Sequence, residues 1–88
     1  LILGTRGGET RLKIINSILK KPMNANRISL ELNLDYKTVQ HHLRILVEND
    51  ILTVIKKGKY GAIYFPSEFL QKNLNILESF GINLGKSK

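Results

Sequence analysis

Eighty-eight residues amount to one small domain, near the size at which a single core is only marginally sufficient, so burial against a second copy is an expected source of stability. Lys and Arg outnumber Asp and Glu by 14 to 7, a formal charge of +7 with a pI near 9.9, which favours a polyanionic partner, nucleic acid ahead of a membrane surface. The lack of cysteine excludes a disulfide framework and a thiolate metal site. No apolar run approaches roughly 18 residues and there is no signal-peptide pattern, so the expectation is a soluble cytoplasmic protein without a membrane partner.

In chain order, the glycines Gly4, Gly7 and Gly8 mark the first eight residues as an extended or mobile arm, made mildly basic by Arg6. The chain starts at Leu1 with no initiator methionine, which is compatible with a domain of something longer. From Glu9 to about Lys20, Leu12, Ile15, Ile18 and Leu19 recur at helical spacing, with an acid at the start and Lys20 and Lys21 at the end. Pro22 stops that helix, because proline lacks an amide donor and disfavours helix in the residue before it. Asn24 suits an N-cap for a second helix, roughly Ala25 to Leu32, with Ile28, Leu30 and Leu32 expected to face the core. Asn33, able to adopt the left-handed conformation, ends it. Only Leu34 then separates it from Asp35, the cap of a third helix, and so short a connection predicts a steep crossing that makes the third helix stand out from the body.

The stretch from Asp35 to Asn49 organises the rest. On a helical wheel Val39, Leu43, Leu46, Val47 and Tyr36 share one arc, expected to be buried, while Lys37, His41, Arg44 and Glu48 lie opposite with Gln40 and Thr38 on the flanks. Side chains able to bond a base edge or a phosphate therefore share the exposed side, although an ordinary solvated helix face has the same look in isolation. After Asn49 the period changes. Ile51 to Lys57 and Ala62 to Phe65 read as two strands around Gly58-Lys59-Tyr60-Gly61, a hairpin with Lys56, Lys57, Lys59 and Tyr60 at its base and tip. Pro66 closes it and Ser67 caps a last helix from Glu68 to about Phe80, with Gly81 as its stop. That helix carries two apolar stripes, Leu70, Leu74 and Leu77 beside Phe69, Ile76 and Phe80. One is expected to serve the core and the other a homodimer interface, with either assignment open. The tail from Ile82 to Lys88 is read as loose.

The order helix, helix, turn, helix, hairpin, helix resembles the winged helix-turn-helix domain, mainly α with a small β-hairpin (α-α-α-β-β-α). The wording from about Thr10 to Phe65 resembles the ArsR-like group of archaeal and bacterial transcriptional regulators, most specifically in the run from Leu34 to Leu46, with its cap residue, Thr38-Val39 and His42-Leu43. Asn49-Asp50-Ile51-Leu52, then Gly58 and Ile63-Tyr64-Phe65, resemble that group's approach to the wing. The resemblance implies that Tyr36, Lys37, Gln40 and His41 face bases, that Arg44 lies nearer the backbone, and that Lys57, Lys59 and Tyr60 form the wing contact. Metal-sensing members place cysteines in these helices and this chain has none; Asn33 and Asp50 stand where the group often has glycine.

Other chemistry finds little support. His41 and His42 diverge by roughly 100° on a helix and cannot readily share a metal, and His42, beside Val39 and Leu46 on the wheel, is expected to be half-buried and bonded to a backbone group. The acids show no paired spacing for proton transfer, there is no nucleophile motif, and the glycines before residue 9 lack the Lys-Ser/Thr ending of a phosphate loop. An enzyme, a cofactor and a metal are therefore not expected. The two remaining functions are sequence-specific duplex DNA binding by a regulator and protein contact by a winged-helix module inside a larger transcription or replication assembly. The excess of Lys37, Arg44, Lys56, Lys57 and Lys59 over Glu48 and Asp50 favours DNA.

Overall fold

The computed structural model describes residues 7–56, 58 and 61–78. Three helices, α1 (Gly8–Lys20), α2 (Ala25–Leu32) and α3 (Tyr36–Glu48), precede a hairpin of β1 (Leu52–Lys56) and β2 (Ala62–Pro66); α4 (Glu68–Lys72) and α5 (Leu74–Glu78) follow. This is the winged helix-turn-helix layout.

The caps explain why the helices start where they do. Asn24 accepts from the Arg27 amide at 2.8 Å, Asp35 from the Thr38 amide at 3.1 Å and Ser67 from the Leu70 amide at 2.9 Å, each satisfying an amide that the first turn leaves unpaired. Asn33 ends α2 at φ 55 and Asp50 follows α3 at φ 60. Both positions demand the left-handed conformation, which is the physical reason that glycine serves at such places and that a short Asx side chain is the next option.

The core is a single cluster built from Ile14, Ile15 and Ile18 of α1, Met23, Ala25 and Ile28 at α2, Val39, Leu43 and Leu46 of α3, Leu52 of β1 and Leu70 of α4. In α1, Ile14 takes the central place, and Leu12 and Leu19 only flank the cluster. Leu30, expected inside, is 70% exposed. It is two residues from Ile28, which lies fully buried, and two residues turn a helix by roughly 200°, so the two cannot share a face.

The hairpin is antiparallel, and its register puts Leu52, Val54 and Lys56 opposite Pro66, Tyr64 and Ala62. Side chains alternate between faces, so these six share the face on which Leu52 is buried, and the Tyr64 amide also donates to the Met23 carbonyl at 2.9 Å. The last helical segment, expected to be continuous, breaks at Asn73. Its side-chain amide donates to the Phe69 carbonyl at 2.8 Å and its backbone amide is shared between the Phe69 and Leu70 carbonyls, local bonds that compete with helix propagation. Leu70 belongs to the core and Leu74 packs against it, whereas Phe69 and Ile76 are 50% and 54% exposed. Phe80 lies outside the described residues, as does the Leu77 side chain.

Candidate nucleic-acid interface

Helix α3 turns Val39, His42, Leu43 and Leu46 inward. The consequence is an outer face on which Lys37, Thr38, Gln40, His41, Arg44 and Glu48 are all exposed. Tyr36, which the helical wheel placed on the buried arc, is instead 45% exposed. It occupies the first turn, and its hydroxyl accepts from the Gln40 amide nitrogen at 3.3 Å, which ties the ring to the polar face. The structure thus brings Tyr36, Lys37, Thr38, Gln40, His41 and Arg44 onto one surface. Lys56, at the far end of β1, is exposed as well; Lys57, Lys59 and Tyr60 lie outside the described residues.

Behind this face lies a feature that the sequence reading did not anticipate. His42 is buried, and its Nδ1 accepts from Nη1 of Arg11 on α1 at 3.1 Å. The expectation was a backbone partner. A guanidinium can only donate, so Nδ1 carries no proton, and the side chain joins α3 to α1. Gly7 closes over the pair: it sits at φ 85, and a Cβ there would lie 2.8 Å from Cε1 of His42. Glycine is needed at that point both for the backbone conformation and for the close approach. The visible signal for Arg11 was its place three and four residues before Ile14 and Ile15, on the buried stripe of α1. His41 meets the His42 ring edge-on, with centroids 5.3 Å apart, and reaches solvent on the other side.

Burial, then the Arg11 charge, then His41 push the His42 pKa below its ordinary 6.5. The unfolded chain takes up that proton near its ordinary value while the fold resists it, so the stability this group contributes is present above about pH 6.5 and is lost as the pH falls toward the depressed folded value. Melting followed by circular dichroism should show a lower Tm at about pH 5.5 than at about pH 7.5, and His42→Gln, which keeps a neutral acceptor for Arg11, should flatten that dependence. Equal slopes for the two proteins would contradict the assignment.

The hairpin stands across from α3, and an open cleft of about 350 Å³ separates them, lined by Gln40, Arg44, Val47, Glu48, Val54 and Tyr64. Tyr64 is half-buried, and burial followed by the neighbouring Tyr36 raises its pKa above the ordinary 10. Its position two residues from both Ala62 and Pro66, and opposite Val54, puts it on the inner strand face. Among the described residues no group of three or more His, Asp or Glu side chains is arranged to hold a metal ion, and no helix is long and apolar enough to cross a membrane.

Comparison with known proteins gives two kinds of likeness. The model of the family described as bacterial regulatory protein, arsR family, matches residues 8–54, from the start of α1 into β1. Among solved structures, HlyU from Vibrio cholerae N16961 superposes with a TM-score of 0.68 at 20% identity, over 82% of this chain and 78% of that one. A mutant of ZitR from Lactococcus lactis gives 0.65 at 14% identity, over 82% of this chain and 58% of that one. The transcriptional regulator HlyU from Vibrio vulnificus CMCP6 gives 0.67 at 20% identity, over 82% and 75%. At these identities the structural likeness is one of fold. No curated protein sequence matches the chain.

Proposed function

The chain belongs to the arsR family of bacterial regulatory proteins, a family of DNA-binding transcription regulators, and from that premise we propose that it reads duplex DNA sequence-specifically, with α3 in the major groove and the hairpin on the backbone or in the minor groove. The observation that supports this reading is the outer face of α3, where a contiguous set of hydrogen-bonding side chains faces solvent with no role in the core. Tyr36, Lys37, Thr38, Gln40 and His41 are the base-facing group, and Arg44 lies toward a phosphate. Lys56, Lys57, Lys59 and Tyr60 supply the wing contact. The chemistry is binding, without a catalytic residue, cofactor or metal.

Two measurements test separate parts of the reading. Lys57→Ala together with Lys59→Ala should weaken binding to every duplex by similar factors, and each lost phosphate contact should reduce the salt slope by about 0.9. Mobility-shift titrations at two salt concentrations report this, and an unchanged slope would remove the wing from the contact. For assembly, the exposed Phe69 and Ile76 support a symmetric homodimer through the α4–α5 segment, with Phe80 and Leu77 as further candidates and Leu70 and Leu74 on the core side. A twofold axis would set two α3 helices roughly 34 Å apart, to match an inverted repeat. Sedimentation equilibrium should show a dimer at tens of micromolar; a monomer both alone and on DNA would overturn this part.

A further inference from the structure

The cleft between α3 and the hairpin combines features that no single element carries. One wall is α3, with Gln40, Arg44 and Glu48 on successive turns and Val47 beside them; the other is the inner face of the hairpin, with Val54 and Tyr64 directly paired across the strands. Lys56 lies two residues beyond Val54 on that same sheet face, toward the hairpin tip. The Tyr64 backbone is fixed from both sides, by its pairing with Val54 and by the amide bond to Met23, and its ring packs against the core. Tyr64 therefore lines the cleft from a rigid frame, unlike a lysine on a flexible stem.

Resting on the reading of α3 as the DNA-facing helix, we propose that this cleft seats one phosphate of a DNA strand, with the Arg44 guanidinium as the cation, the Tyr64 hydroxyl as a neutral donor, and Val47 and Val54 as apolar walls for the adjoining sugar. A strand lying beside a helix in the major groove must pass between that helix and the wing, and the cleft is the gap between them, lined by two residues, Gln40 and Arg44, of the proposed DNA face. Glu48 lines the cleft one turn beyond Arg44 and repels an anion, so the phosphate sits on the Gln40 side of Arg44. The Tyr64 phenol carries its proton at neutral pH, as a donor to a phosphate oxygen requires, and burial pushes its pKa further in the same direction. Arg44 fixes charge and Tyr64 fixes position, so Tyr64 sets the depth at which α3 enters the groove.

The two contributions differ in kind, and the test uses that difference. Tyr64→Phe keeps the ring and its packing but removes the donor. It should weaken binding about tenfold to every duplex, with Tm, base discrimination and salt slope unchanged, because a neutral donor releases no counterion. Arg44→Ala should also weaken binding and should lower the slope by about 0.9. Replacing the phosphates of a bound duplex one at a time with methylphosphonate should reveal one position in each half-site where the wild type loses affinity and where Tyr64→Phe and Arg44→Ala lose less. Wild-type affinity in Tyr64→Phe, or a methylphosphonate penalty identical in all three proteins at every position, overturns the seat while leaving α3 as the reader. A wild-type chain that binds no duplex defeats the underlying reading and the seat together. Calorimetry with inorganic phosphate alone separates the remaining source: submillimolar binding abolished by Tyr64→Phe would make the cleft a site for a free small anion and overturn the proposal.

Discussion

Replacing both Gln40 and His41 with alanine should abolish sequence preference while leaving general duplex binding in place. Both side chains are exposed on the outer face of α3 and neither belongs to the core cluster, so the fold survives, which an unchanged circular dichroism spectrum checks. A base contact discriminates by about 1–3 kcal/mol, and two together should lower the ratio of specific to non-specific affinity by about a hundredfold or more. Phosphate contacts from Arg44, Tyr64 and the wing lysines are blind to sequence and remain. Competition titrations of a preferred duplex against a scrambled one measure the ratio. An unaltered ratio would move the reading face elsewhere, most directly to Lys37 and the first turn.

The second large effect is on stability. Leu43 is completely buried on the inner face of α3 and belongs to the same cluster as the isoleucines of α1. Leu43→Ala removes the burial and leaves a cavity, at a cost of about 2–5 kcal/mol. A small domain has about 5–15 kcal/mol in total, so Tm should fall by roughly 10 °C or more, and DNA affinity should fall with the folded population. Leu30→Ala is the matched control: the same chemical change at a residue 70% exposed should alter stability by no more than about 0.5 kcal/mol. Comparable losses at the two positions would mean that the core is wrongly placed.

These contrasts show what the sequence could and could not convey. Local signals were legible because their physics is local: the Asn24, Asp35 and Ser67 caps, the left-handed Asn33 and the change of period at the hairpin all depend on neighbours within a few residues. The exposed face of α3 followed from the positions of Val39, Leu43 and Leu46 alone. Apolar spacing is silent where a polar side chain makes its own local bond, as at Tyr36 and Asn73, or where a distant element decides, as for His42 and Tyr64. Tyr36 fell on the apolar arc by angle, yet in the structure it is half-exposed and linked to Gln40. Arg11 and His42 sit 31 residues apart, and nothing in either helix by itself reveals that they meet. Tyr64 entered the cleft only once the strand register was known. The break at Asn73 came from a side chain bonding its own backbone, a competition that apolar spacing does not register.

The central claim is that α3 reads base sequence in duplex DNA, and the direct test is selection from a pool of random duplexes with the full chain, followed by competition between the recovered sequence and a scrambled version at one fixed salt concentration. The account predicts a single enriched motif, arranged as an inverted repeat with half-sites about one helical turn apart, and bound at least about a hundredfold more tightly than its scrambled form. A pool that remains random after selection, with equal affinity for every duplex, would contradict it.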